Sequence, residues 1–274
     1  MEFFLVITWD IGPYVIPGVE LFRWYGALWA IGILLGVQVL QHINKNEGLP
    51  IKQVDNLVFI LIVGIILGAR LGHILFYDPV HYWHNPSELL PVRFYPHFEL
   101  VGVAGLASHG GVIGVILAVL YVSKKYNLEI LWLLDRLTIS AALLGCFIRL
   151  GNLMNSEIVG VPTSVPWAFI FSQFDSIPRH PSQLYEAIFY FSIFIFLFTL
   201  WKSGVHIKRQ GLLFGLGLSL IFIQRFFIEF LKEDQVNFES EMLFNMGQLL
   251  SIPMVLIGIL FVGRALNNSK KQMR

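Results

Sequence analysis

Apolar residues in this chain neither alternate nor form stripes; they run on unbroken. Seven stretches, at about residues 21–40, 57–76, 101–121, 130–148, 184–201, 212–230 and 249–266, are apolar almost throughout. A helix needs about 20 such residues to cross a hydrocarbon core about 30 Å thick. A helix that is apolar all round belongs in lipid or deep in a core. The pattern predicts an all-α fold: a polytopic membrane protein of about seven transmembrane helices, forming one integral-membrane domain over residues 1–274. Gly26, Gly32, Gly36, Gly64, Gly68, Gly72, Gly215 and Gly217 fall inside these stretches. Small residues let membrane helices approach closely, so these are read as packing positions. No internal repeat is evident.

The segments between the runs orient them. Lys45, Lys52, Lys124, Lys125, Lys202, Lys208, Arg209, Arg264, Lys270, Lys271 and Arg274 fall on one side, eleven against the four of Arg23, Arg93, Arg179 and Lys232. Lysine and arginine concentrate in cytoplasmic loops. The N-terminus is therefore expected outside and the C-terminus in the cytoplasm, with the longest loops, residues 78–100 and 152–183, facing outward. Tyr77, His81, Tyr82, Trp83, His84, Tyr95 and His97 give the first loop the character of a headgroup-level segment. Its histidines lack the cysteine or acidic partners of a metal site, and no metal is expected. Residues 1–10 have no basic start and are followed by Gly12-Pro13, so the first helix is expected to act as its own insertion signal.

Composition agrees. The chain is 56% hydrophobic and 14% charged, against about 45–50% and about 25% for soluble domains. The formal net charge of +1 excludes no partner class. The single cysteine, Cys146, rules out an intrachain disulfide and reads as a buried structural thiol.

Polar groups within or beside the runs change the picture more. A cation at mid-membrane costs roughly 2.5–3.5 kcal/mol on insertion scales. Arg149, Asn152, Asn155 and Glu157 cluster at the outer end of the fourth run. Arginine suits phosphate because its planar fork gives bidentate, charge-assisted hydrogen bonds. The alternative is a solvated helix end with Arg149 snorkelling outward. Ser108-His109-Gly110-Gly111 sets a potential general base beside two glycines that permit a helix break or close backbone approach; a histidine bonded to a neighbouring helix is the other reading. Arg225 and Glu229, spaced i, i+4, can neutralise one another. Arg70 and His73 share one face. Asp135 and Arg136 read as an interfacial or structural pair. In the stretch from Arg179 to Glu186, either Pro181 or Ser182 can start the fifth helix. A helix cap accounts for Ser182 and Glu186 but leaves Arg179, His180 and Gln183 unexplained. No nucleophile elbow, HExxH, Walker loop or Rossmann fingerprint is present. These residues support an outward-facing site for an anionic, lipid-sized ligand. Enzyme, lipid transporter and intramembrane hydrolase all remain open on them.

Six motifs, taken in order, resemble the bacterial prolipoprotein diacylglyceryl transferase family. They are Arg23-Trp24-Tyr25-Gly26, Gly68-Ala69-Arg70-Leu71-Gly72, His109-Gly110-Gly111, the stretch from Arg149 to Glu157 with Gly160, the stretch from Arg179 to Glu186, and Arg225-Phe226-Phe227-Ile228-Glu229-Phe230. The family signature is similar to Gly-Arg-x-Gly-Asn-Phe-x-Asn-Gly-Glu. Here Ile148, Leu153 and Ser156 replace its first Gly, its Phe and its last Gly, and Lys232-Glu233-Asp234 stands where the family often has Arg and then Pro-Asp. The resemblance implies transfer of a diacylglyceryl group from phosphatidylglycerol to the lipobox cysteine in the signal peptide of a prolipoprotein. It implies catalytic roles for His109, Arg149, Arg225 and Glu157. It implies lipid contacts from Arg149, Asn152, Asn155, Tyr25, Arg70, Glu229 and Gly160. It further implies a bacterial plasma (inner) membrane location among membrane lipids, with no cofactor, no metal and no nucleic-acid partner.

Overall fold

The computed structural model describes residues 6–16, 22–48, 51–77, 79–85, 92–93, 99–100, 107–233 and 242–272. It is built from long helices, as the apolar runs predict. They are α1 (Trp24–Asn46), α2 (Ile51–Phe76), the short α3 (Pro79–His84), α4 (Ser108–Tyr126), α5 (Ile130–Met154), α6 (Ser182–Lys202), α7 (Leu212–Ile228) and α8 (Met246–Gln272). Among the described residues, six are long and apolar enough to cross a membrane: α1, α2, α5, α6, α7 with the 3-10 turn that follows it (Glu229–Leu231), and α8. The run expected at residues 101–121 appears as α4, which begins at Ser108; residues 101–106, like Tyr95 and His97, lie outside the described residues.

The chain divides into two compact units. One joins Met1–Ile43 to Leu134–Arg274, and the other is Asn44–Leu133. In the second unit, α2 and α4 meet through glycines. A Cβ added to Gly64, Gly68 or Gly72 on α2 would strike the backbone of Gly114 or Gly110 on α4, and the reverse holds for those two. Gly110 and Gly111 do not break the helix; α4 runs through them, and Gly110 serves close approach. In the first unit, Ile43, Ile139, Ala142, Ile193, Leu197, Trp201 and Leu213 form a buried apolar core. Gly32 fits against Phe147, and Gly217 against Thr138. Gly26 corrects the packing expectation: a Cβ there would meet nothing within 4 Å.

Two helix starts depend on side-chain caps, and one of them uses Asp135, read from sequence as half of a pair with Arg136. Asp135 accepts hydrogen bonds from the backbone N–H of Gly211 and of Phe214, both at 2.8 Å. It therefore caps α7, and its pairing with Arg136 at 3.9 Å is the weaker contact. Asn245 and Gln248 form a reciprocal capping box, which starts α8 three residues before the expected position.

The segments outside the long helices depart from a purely helical fold. β1 (Ile7–Trp9) pairs in parallel with β4 (Phe169–Phe171), which pairs antiparallel with β5 (Pro178–Arg179); β2 (Val92–Arg93) and β3 (Glu99–Leu100) form a separate two-stranded sheet. Phe169 and Phe171 pack on Leu153 and Val159 with Trp9 alongside, and the Trp9 indole donates to the Leu153 carbonyl at 3.1 Å. The loop at 152–183 is thus a folded cap on the end of α5.

Candidate active site

Arg149 stands near the C-terminal end of α5, which closes at Met154, and the loop that follows is sharply bent. Ser156 and Ile158 both take left-handed backbone conformations, at φ 52° and 55°. Such angles are costly for a β-branched residue. The bend is held from α6: the Ser182 hydroxyl donates to the Ile158 carbonyl at 2.7 Å, and the Gln183 amide donates to the Glu157 carbonyl. Glu157 is thereby projected between two asparagines. Asn152 donates to one carboxylate oxygen at 3.1 Å and Asn155 to the other at 2.9 Å. Arg149 Nη1 reaches Asn152 Oδ1 at 3.5 Å.

These contacts correct the cap reading of Ser182 and Glu186. The N-cap of α6 is Pro181, with no side-chain hydrogen bond. Ser182 braces the loop instead, and Glu186 is fully buried in an ionic chain. Arg149 Nε lies 3.2 Å from Glu186 Oε2, outside hydrogen-bond alignment. Lys232 Nζ donates to Glu186 Oε1 at 3.0 Å and to Glu229 Oε1 at 2.9 Å. Arg225 Nε stands 3.6 Å from the same Glu229 oxygen, and Asn245 donates to the other at 3.2 Å. Gly247, in the first turn of α8, leaves the room that Glu229 fills. The result is a continuous series, Arg149–Glu186–Lys232–Glu229–Arg225, drawn from α5, α6, α7 and the turn after it. Lys232, counted among outward loop charges by the sequence reading, is buried within it. Tyr190, one turn beyond Glu186, also reaches this cluster: its hydroxyl hydrogen-bonds Arg149, and its ring occupies the space left by Gly145. Sequence reasoning missed Tyr190 and Lys232, although Glu186 and Tyr190 share a face at i, i+4.

The remaining candidates fall around or apart from this series. The Tyr25 ring lies against Gly151, two residues beyond Arg149. Gly160 is pinned between two segments of the chain: a Cβ there would meet the carbonyls of His180 and Leu231. Arg179, unexplained from sequence, clasps Asp175 and Glu233, both at 2.6 Å, and the Gly160 carbonyl at 3.1 Å. That pairing holds the Asp175 carboxyl below its usual range and raises Arg179 further, while burial lowers His180. His180 and Trp167 both bond the Tyr185 hydroxyl. Arg70 and His109 belong to the other unit. Arg70 lies over the Tyr82 ring at 5.1 Å, and the His109 side chain is exposed.

Guanidinium edges held beside buried carboxylates, near the end of an apolar helix, have the chemistry to pair with an anion attached to an apolar body. The comparisons with known proteins give a family. A family model described as prolipoprotein diacylglyceryl transferase matches residues 14–264. The chain is 45% identical over 263 residues to a Bacteroides fragilis protein named phosphatidylglycerol--prolipoprotein diacylglyceryl transferase, covering 94% of this chain and 95% of that one. A protein of the same name from Tolumonas auensis is 46% identical over 259 residues, covering 94% and 96%. One from a Wolbachia of Drosophila simulans is 37% identical over 268 residues, covering 95% of each. With the match spanning nearly its whole length, this chain belongs to the prolipoprotein diacylglyceryl transferase family.

Proposed function

We propose that this protein transfers the diacylglyceryl group of phosphatidylglycerol to the thiol of a lipobox cysteine in a prolipoprotein signal peptide. The sulfur forms a bond to the glyceryl carbon, the carbon–oxygen bond to phosphate breaks, glycerol 1-phosphate leaves and the product is a thioether. The observation that carries this reading is the ion-paired series from Arg149 to Arg225. Glycerol 1-phosphate is a poor leaving group until its developing charge is met by fixed donors, and two arginines supply them. Asn152, Asn155 and Glu157 form a rigid polar rim for the headgroup hydroxyls, and Tyr25 adds a hydroxyl beside Gly151. Gly160 acts through packing. The attacking sulfur must be a thiolate, and a free thiol has a pKa near 8.5, so a base speeds the step. His109 takes that proton in this reading, with Glu157 as the alternative and Arg70 assisting.

The membrane reading extends to seven spanning helices, with α4 the seventh. The N-terminus lies outside and the C-terminus in the cytoplasm of a bacterial plasma membrane, with the 78–100 and 152–183 loops outward. Activity is a property of the whole chain acting as one catalytic domain.

Purified protein is mixed with phosphatidylglycerol and a lipobox peptide, or its Cys→Ala form, and the peptide is weighed by mass spectrometry. A diacylglyceryl adduct on the cysteine peptide alone supports transfer. Tight binding of phosphatidylglycerol without any adduct contradicts it and points to a lipid carrier. A His109→Gln enzyme that binds lipid but does not turn over supports His109 as the base; near-normal turnover moves the role to Glu157.

A further inference from the structure

The charged series is not a set of equal pairs. Three cations, Arg149, Arg225 and Lys232, are joined to two carboxylates, Glu186 and Glu229. One positive charge is therefore left over. The surplus does not rest on Lys232, which is only 3% exposed and spends its ammonium on both carboxylates. It rests on the arginines. Arg225 is 38% exposed, and its approach to Glu229, at 3.6 Å, is longer than the lysine's 2.9 Å to the same oxygen. Arg149 approaches Glu186 through Nε at 3.2 Å without hydrogen-bond alignment, its Nη1 reaches Asn152 only at 3.5 Å, and its remaining bond is to the neutral Tyr190 hydroxyl.

The backbone holds the lysine in this place. The 3-10 turn Glu229–Leu231 turns the chain back after α7, so that Lys232 faces Glu229 at i, i+3. Lys232 bridges to Gly160, Val161 N–H donates to the Leu231 carbonyl, and Glu233 N–H donates to the Val159 carbonyl. The next side chain, Glu233, is clasped by Arg179. An ammonium anchored on both sides of its own residue is a fixed charge.

We propose that Lys232 is a positioning residue that sets the anion affinity of this site. By satisfying Glu186 and Glu229 together, it stops those carboxylates from consuming Arg149 and Arg225, and so keeps both guanidinium forks open to a lipid phosphate. Without it, two arginines would face two buried carboxylates, the series would be neutral, and the forks would close on the glutamates. The role rests on the phosphatidylglycerol reading above and deepens it.

The test uses full-length protein, wild type and the variants K232M, K232R and K232M/E186Q. For each, the binding of phosphatidylglycerol is measured beside KM and kcat for transfer and beside the melting temperature. K232M is expected to weaken binding and raise KM by about tenfold or more, the scale of a lost charge-assisted hydrogen bond. K232R keeps the charge and is expected to restore most of the affinity. K232M/E186Q removes one cation with one carboxylate, returns the surplus to one, and is expected to bind within about threefold of wild type, less than the scale of one such bond. A K232M protein with wild-type affinity overturns the proposal. So does a folded K232M/E186Q protein that binds as weakly as the single variant. If K232M does not fold, the double variant carries the test alone, and a folded double variant that loses about tenfold decides against the role. Failure of the transfer reading is distinct: wild-type protein would then bind phosphatidylglycerol, with the same dependence on Lys232, and make no adduct.

Discussion

The α2–α4 contact and the junction of α5, α6 and α7 both hold apolar helices together, but by opposite means. α2 and α4 meet backbone to backbone. Gly64, Gly68 and Gly72 face Gly110 and Gly114, and the adjoining groove is lined by residues such as Phe59, Leu67, Leu71, Ile113 and Leu117. Lipid tails are as apolar as leucine, so tight packing of small residues supplies the attraction there. The junction is held by charge: Glu186 lies fully buried between Arg149 and Lys232. Burying ion pairs is seldom the most economical way to gain stability, because desolvation offsets the attraction. The first contact is accounted for by packing alone; the second is the one that the proposed function assigns to a ligand.

The comparison breaks most severely at Gly110. Gly110→Val puts side-chain atoms onto Gly68 and is expected to destabilise the Asn44–Leu133 unit by about 3 kcal/mol, the upper range for overpacking. Chemical-denaturant unfolding checks it, and a loss below about 1 kcal/mol would mean the helices separate easily. Next is Asp135→Ala, which strips the cap from α7 and leaves the N–H groups of Gly211 and Phe214 buried without an acceptor. A loss of about 2 kcal/mol is expected, readable in the same unfolding experiment. Ser156→Gly runs the other way. Ser156 sits at φ 52°, and its buried hydroxyl has no hydrogen-bond partner among the described residues. Glycine relieves the strain and is expected to stabilise by about 1 kcal/mol, raising the melting temperature.

The smallest effect is a pH dependence confined to the 152–183 loop. Burial holds the His180 imidazole below its ordinary value, near 6.5 for a free side chain. The unfolded chain then binds a proton more readily than the folded one, so stability rises with pH through this window. It is complete above about pH 6.5 and declines as pH falls toward the lower folded value. Asp175, held low by Arg179, keeps its contribution until the solution is far more acidic. Melting temperatures of wild type and His180→Gln between about pH 7 and pH 5 should converge at the acid end; parallel curves would remove His180 from the account.

The two regions also differ in what the sequence discloses. Gly64, Gly68 and Gly72 repeat at helical spacing inside an apolar run, and close packing follows from that spacing. Arg149, Glu157, Arg225 and Glu229 stand out because charge in an apolar run demands a reason. Their partners do not. Glu186 and Lys232 are 46 residues apart, so Glu186 reads as a first-turn carboxylate and Lys232 as a loop charge. Local spacing is silent about contacts made between helices. The small sheet is hidden for a similar reason: Ile7–Trp9 finds its partner at Phe169–Phe171, far along the chain. The sequence reading misplaces the start of α8 at residue 249, because the Asn245–Gln248 capping box, seen in the structure, goes unread in it.

The central claim is that the charged junction handles the lipid phosphate and does not merely join helices. The direct measurement is the rate of diacylglyceryl transfer by Arg149→Gln, which keeps a polar side chain but removes the charge and the guanidinium fork, with helical content and melting temperature measured on the same sample. The account predicts a loss of at least about a hundredfold, the scale of one electrostatic donor at a developing charge, in a protein that remains folded. A folded Arg149→Gln protein transferring at the wild-type rate would contradict it.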